Sequence, residues 1–135
     1  MSAPPIGLVD TSVFIAREKD RPLGALPARV VVSVVTIGEL QLGVLAAADA
    51  GRRALRADTL ALARTADPVP VSEAIMVTWA QLVAECRSAG IHRAVKLTDA
   101  LIAATAVEHG LPVVTQDDDF DAMANAYPRL AVVRV

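Results

Sequence analysis

At 135 residues, the chain suits one domain able to bury its own core. Hydrophobic residues make up 54% of it but aromatics only 3%, so the core must be aliphatic and base stacking on aromatic side chains is not indicated. A net charge of -2, a single cysteine (Cys86) and no apolar run near the ~20 residues of a membrane span argue against a strongly basic surface, an internal disulfide and a transmembrane helix.

In chain order, Met1-Ser2-Ala3-Pro4-Pro5 lacks the positive start of a signal peptide, and the cytoplasm is the expected compartment. Ile6 to Val9 predicts a short buried strand, and Thr11 to about Lys19 a first helix, with Pro22 and Pro27 marking a loop. Val30-Val31-Val32 predicts a second, β-branched strand. Thr36 offers an N-cap for a helix from Ile37 to about Ala48. Gly51 is expected to break it, and a further helix runs from about Arg52 to Arg64. Asp67-Pro68 reads as a turn, and Val69 to Val71 as a very short strand interrupted by Pro70. Ser72 predicts the cap of a long helix from Glu73 to about Ser88, ended by Gly90. Thr98 is expected to cap Asp99 to His109, with Gly110 at the C-terminus. A strand within Leu111 to Thr115, a short helix from Asp118 to Ala124 and a last strand from Leu130 to Val135 complete the chain. Strands alternating with helices predict a single domain over residues 1–135 with a parallel, three-layer α/β/α architecture.

Four carboxylates carry local signatures. Asp10 ends the run Ile6-Gly7-Leu8-Val9 and precedes Thr11-Ser12. Glu39 lies in Gly38-Glu39-Leu40-Gln41-Leu42-Gly43. Asp99 opens Asp99-Ala100-Leu101-Ile102-Ala103-Ala104, and Asp117 follows Val113-Val114-Thr115-Gln116. Two of them lie just beyond strands and two near helix starts, places that meet at one edge of a parallel sheet, where ligands bind. Acids gathered there repel one another by roughly 4 kcal/mol per pair ~4 Å apart at an effective dielectric of ~20. A divalent cation removes that penalty.

Each acid also has a plainer reading. Asp10 suits a helix N-cap, and Thr36-x-x-Glu39 matches a capping box. Against the box, the helix around Glu39 is apolar nearly all round and is expected to be covered on both sides, and no Lys or Arg between Val30 and Gly51 is at hand to pair with a buried Glu39. Asp99 gains ~0.3–1 kcal/mol from the helix dipole. The small Ala100, Ala103, Ala104 and Ala106 that follow also let the helix approach the sheet and hold Asp99 rigidly. Asp117-Asp118-Asp119-Phe120 resembles a solvated turn, yet its place after a strand makes Asp117, and Asp119 beside it, candidate ligands.

Other residues carry less. His109 suits a helix C-terminus, His92 has no partner at zinc spacing, and Cys86 reads as core. No phosphate-binding glycine loop and no serine nucleophile elbow occurs. Arg52, Arg53, Arg56 and Arg64 read as a solvated helix face. Arg87, Arg93 and Lys96 precede Asp99, where they can meet phosphates.

Four segments, Leu8-Val9-Asp10-Thr11-Ser12, Glu39-Leu40-x-x-Gly43, Thr98-Asp99-Ala100-Leu101-Ile102-Ala103-Ala104, and Gly110-Leu111-Pro112-Val113-Val114-Thr115-x-Asp117-x-Asp119-Phe120, resemble in order the motifs of the PIN-domain ribonucleases, most closely the VapC toxins of bacterial toxin–antitoxin pairs. The resemblance implies a PIN-like domain with a central parallel sheet and an endoribonuclease dependent on Mg²⁺ or Mn²⁺. By motif, Asp10, Glu39, Asp99 and Asp117 are the expected catalytic and metal-binding acids. Asp119 is an expected further ligand, and Thr115 an accompanying residue. RNA as substrate, a small antitoxin over the active-site groove and a homodimer are the implied partners, with the helices from Arg52 to Ser88 expected to carry part of the dimer surface. Two alternatives differ in class. A non-catalytic RNA-binding or scaffold module on the same fold would lack metal-dependent cleavage. A receiver-like signalling domain would need a Lys after a late strand, and none follows Lys96.

Overall fold

β1 (Ile6–Val9) lies inside a four-stranded sheet ordered β2-β1-β3-β4 in a computed structural model that describes residues 3–135 apart from His92 and Ala94. β2 is Arg29–Val31, β3 Val113–Thr115 and β4 Val132–Arg134, and every pairing is parallel. β1 pairs with β2 through Gly7 opposite Val30, and with β3 through Leu8 opposite Val113. Gly7 fits because a Cβ there would meet Val114 Cγ2 at 2.6 Å and Pro27 Cγ at 2.9 Å, too close for any side chain.

Alternation along the strands divides the core. Leu8 and Val113 face one layer, with Leu82, Ile102, Ala103, Phe120 and Met123. Val9 and Val114 face the other, with Val13, Phe14, Leu40, Leu60 and Ala63. The first layer is built by α4 (Glu73–Ser88), α5 (Leu97–Glu108) and α6 (Asp119–Ala126). The second is built mainly by α1 (Thr11–Glu18), α2 (Val34–Leu45) and α3 (Ala50–Arg64). The three-layer α/β/α expectation holds, and the core is aliphatic as the composition requires. On α5, Ala100, Ala103, Ala104 and Ala106 are all buried, so small side chains do bring this helix close to its neighbours.

Several boundaries differ from the sequence reading. Ser33, not Thr36, caps α2: its hydroxyl accepts from Val35 N–H at 3.0 Å. Thr36 lies inside the helix, fully buried, so the capping box does not form. α2 ends at Leu45, and α3 begins at Ala50 with Asp49 as its cap, which leaves Gly51 within the first turn rather than at a break. Lys96, not Thr98, precedes α5, placing Asp99 third in the helix. Val69 makes only an isolated bridge to Ser33, with no strand around Pro70. Ser72 caps α4 as expected, and Gly90 and Gly110 follow α4 and α5 at φ +75 and +64, the left-handed values that glycine tolerates. Leu42 and Leu45 are 66% and 70% exposed, so α2 is not covered on both sides. Cys86 is buried core and His109 caps α5. The expectations for His92 and for the first two residues lie outside the described residues.

Candidate active site

The strand order fixes where a site forms. The chain leaves β1 for β2 on one side, then returns to place β3 on the other. The switch of direction between β1 and β3 opens a crevice beyond their carboxyl ends. Asp10 follows β1 directly, and Gln116 and Asp117 follow β3. The first turn of α5 supplies Asp99, and the second turn of α2 supplies Glu39. These four carboxylates and Asp119 line one cavity of about 240 Å³ together with Thr11, Ser12, Arg21 and Lys96. The structure thus brings together every acid singled out in the sequence.

Asp10 is the most enclosed of them, at 3% exposure. Ser12 Oγ donates to its Oδ1 at 2.6 Å and Thr115 Oγ1 to its Oδ2 at 3.1 Å. Both hydroxyls are themselves positioned by backbone: Gln116 N–H donates to Ser12 Oγ at 2.9 Å, and Asp117 N–H to Thr115 Oγ1 at 3.0 Å. Each hydroxyl has one proton and directs it at Asp10, so the 3.2 Å approach between Ser12 and Thr115 is proximity rather than a further bond. The loop after β3 therefore clamps the carboxylate that follows β1.

Glu39 is held differently. Thr11 Oγ1 lies 2.7 Å from Glu39 Oε1 and 3.2 Å from Thr36 Oγ1. The charged acceptor at the shorter distance takes the proton. Thr11 escaped the sequence reading because a threonine in the first turn of a helix looks like an ordinary capping neighbour. Arg21 was missed as well: it enters from the loop after α1, far in sequence from any motif.

Burial without a counter-charge sets the electrostatics. Among the described residues no Lys or Arg lies within 4.0 Å of Asp10, Glu39, Asp99 or Asp117, and the nearest ion pair is Lys96 with Asp119 at 4.0 Å. Burial raises the Asp10 carboxyl to about 6 against the pull of the Ser12 and Thr115 hydrogen bonds, with Asp117 and Asp99 adding repulsion. Burial also raises Asp99 to about 6, followed by repulsion from Glu39; Lys96 opposes the rise, and Asp119 and Asp117 add to it. Two carboxyls raised by burial thus share the cavity with three further acids.

The donor set is entirely hard oxygen and fits Mg²⁺ or Mn²⁺. As they stand, no three acidic, His or Cys side chains among the described residues are placed to close on one ion.

Known proteins place this geometry in a family. The PIN domain family matches residues 7–126. Ribonuclease VapC8 of Mycobacterium tuberculosis is 67% identical over 101 residues, which cover 75% of this chain and 90% of the relative. Ribonuclease VapC5 of the same organism is 42% identical over 136 residues, covering 99% of this chain and 98% of the relative. The crystal structure of VapBC-5, a member of the VapBC family of toxin–antitoxin systems from Mycobacterium tuberculosis, superposes with a TM-score of 0.86 at 39% identity, over 98% of this chain and all of that one. With its parallel sheet, its flanking helices and its acids gathered at the switch point, the chain belongs to the PIN-domain family, among the VapC ribonucleases.

Proposed function

We propose that this chain is an endoribonuclease dependent on Mg²⁺ or Mn²⁺ and acts as the toxin of a toxin–antitoxin pair. The observation that carries the reading is the convergence of Asp10, Glu39, Asp99 and Asp117, with Asp119, on one cavity without a balancing cation at the first four. The names of the relatives support RNA as the substrate class. Asp10, Glu39, Asp99, Asp117 and Asp119 are the residues that would hold the metal. A bound ion would supply water activation for attack on a phosphodiester and would offset charge on the phosphate.

The chain's own groups prepare that chemistry. Ser12 and Thr115 hold the two oxygens of the Asp10 carboxylate at the cavity wall. Thr11 does the same for Glu39. The α5 backbone carries Asp99 to the rim, while Arg21 and Lys96 place positive charge where phosphate oxygens enter. An acidic cavity also suits a cationic inhibitor. A small antitoxin reaching an Arg toward Asp10 and Asp99 would compete with metal for the same oxygens. The solved VapBC complex supports such a partner. A homodimer is the proposed assembly, supported by exposed Leu55 on α3 and Met76 and Val77 on α4, within the segment singled out from the sequence. The proposed compartment is the cytoplasm. No described helix is long and apolar enough to cross a membrane.

The decisive assay incubates the purified chain with total RNA and maps new 5′ ends. Cleavage at defined positions with Mg²⁺ or Mn²⁺, abolished by chelator and by Asp99→Asn, is expected. Cleavage that survives chelation, or none by the wild-type chain with metal, overturns the reading. Co-expression with the neighbouring small open reading frame tests the pairing: equal toxicity with and without it, and no co-purifying complex, removes the antitoxin. A monomeric mass by light scattering at micromolar concentration removes the homodimer.

A further inference from the structure

A second cavity, of about 220 Å³, adjoins the acidic one and shares Thr11, Ile15 and Glu39 with it. The two meet at these residues, and the second lies between α1, α2 and α3. Their charges differ. The acidic cavity sets five carboxylates against Arg21 and Lys96, whereas the second sets Glu18 and Glu39 against Lys19 and Arg56. A polyanionic strand whose scissile phosphate lies among the acids needs such a less negative place for its next phosphates.

Arg56 is built for that place. The sequence reading gave it to a solvated face with Arg52, Arg53 and Arg64, and those three are exposed. Arg56 is half-buried, and its Nη1 donates to the Gly43 carbonyl at 2.7 Å. That bond anchors the guanidinium at the cavity wall and leaves the rest of its five donors unassigned. No acid lies within 4.0 Å of it among the described residues. Glu18, the nearby carboxylate of the cavity, instead accepts from Thr59 Oγ1 at 2.8 Å. Lys19, exposed at the end of α1, adds a second positive charge at the same cavity.

We infer that Arg56, assisted by Lys19, seats a phosphate of the bound RNA strand adjacent to the one cleaved. The inference rests on the ribonuclease reading and gives it a strand path, out of the acidic cavity past Thr11 and Glu39 and along α3. Arg56 is a positioning residue here, since it meets the substrate's backbone rather than the reacting atoms.

The test measures binding apart from cleavage. An Asp10→Asn chain, inactive by design, is titrated into a short fluorescent oligoribonucleotide of mixed sequence over a range of salt concentrations. Adding Arg56→Gln should weaken binding about tenfold and lower the slope of log affinity against log salt by about 0.7, one single-strand phosphate contact. Arg56→Lys should restore the slope, because the charge returns. Arg53→Gln, on the exposed face of the same helix, should change neither quantity. In oligomers with one neutral methylphosphonate linkage, one of the positions that weaken the Asp10→Asn chain should cost nothing further once Arg56→Gln is present. Unchanged affinity and slope in Arg56→Gln overturn the inference. So does an effect equal to that of Arg53→Gln, or a loss seen only for binding of the co-expressed small protein, which would make the second cavity a protein's seat. A failure of the ribonuclease reading shows separately, as absent cleavage by the wild-type chain with metal.

Discussion

At the strand edge of the acidic cavity, Asp10 is 3% exposed and both its oxygens accept hydroxyl protons. At the helical edge, Asp99 is only half-buried, and among the described residues no side-chain hydrogen bond reaches it, yet both carboxyls are raised to about 6. The difference teaches where rigidity comes from. Hydroxyls backed by the β3 loop orient Asp10 in advance, whereas Asp99 is placed by the backbone of α5 and repelled by Glu39. The strand edge is held by side-chain hydrogen bonds, and the helical edge by backbone placement alone.

Removing either edge's carboxylate should have the largest effect. Asp10→Asn and Asp99→Asn should each lower RNA cleavage more than about 100-fold, beyond the loss typical of residues that only support a metal ligand. Both variants should stay folded, because each removes one of several like charges, and circular dichroism with a melting curve checks this. An active Asp99→Asn beside a dead Asp10→Asn would break the comparison by leaving the helical edge without a catalytic part.

The supporting hydroxyls should separate the edges next. Thr115→Val and Ser12→Ala each strip a proton donor from buried Asp10, so metal affinity should fall about 10–100-fold. Thr11→Val, which frees only the half-buried Glu39, should cost less than tenfold. Equal losses in all three, read by Mn²⁺ titration, would show that the two edges are alike.

Acidity gives a smaller, signed effect. A carboxyl raised from 3.8 to about 6 stabilises the folded chain fully below pH 4, and that stabilisation is lost as pH rises through 6. For buried Asp10 the change is at most about 3 kcal/mol. The metal-free chain should therefore melt at a lower temperature at pH 7 than at pH 5 when compared with Asp10→Asn, whose difference should shrink. Saturating Mg²⁺ should reverse the order, because the ion favours the ionised acids. Melting curves at the two pH values, with and without Mg²⁺, provide the check.

Much of this site was legible in the sequence because strand ends announce themselves. Asp10 and Asp117 each follow an apolar run, and parallel topology brings such ends together. The misreadings lie where two residues competed for one role. Ser33 and Thr36 both suit an N-cap, and Ser33 prevailed because β2 stops at Val31, allowing the helix to begin at Val34. Thr36 was then drawn into the interior, against Thr11. Likewise α5 begins at Leu97, before Thr98 and with no side-chain cap, which places Asp99 third in the helix without removing it from the cavity. The exposure of Leu42 and Leu45 was not legible, since an apolar pattern records that a face can be covered but not by which chain. Arg56 was invisible for a related reason: one helix face carries four arginines, and only the packing of α3 against α2 turns one of them to the Gly43 carbonyl.

The central claim is that the acids of both edges hold one divalent cation together. Calorimetric titration of Mn²⁺ into the wild-type chain, Asp10→Asn and Asp99→Asn at pH 7 tests it most directly. The account predicts binding by the wild type, weakened more than about tenfold in each variant. Equal affinity in all three chains, or no binding by the wild type, would contradict it.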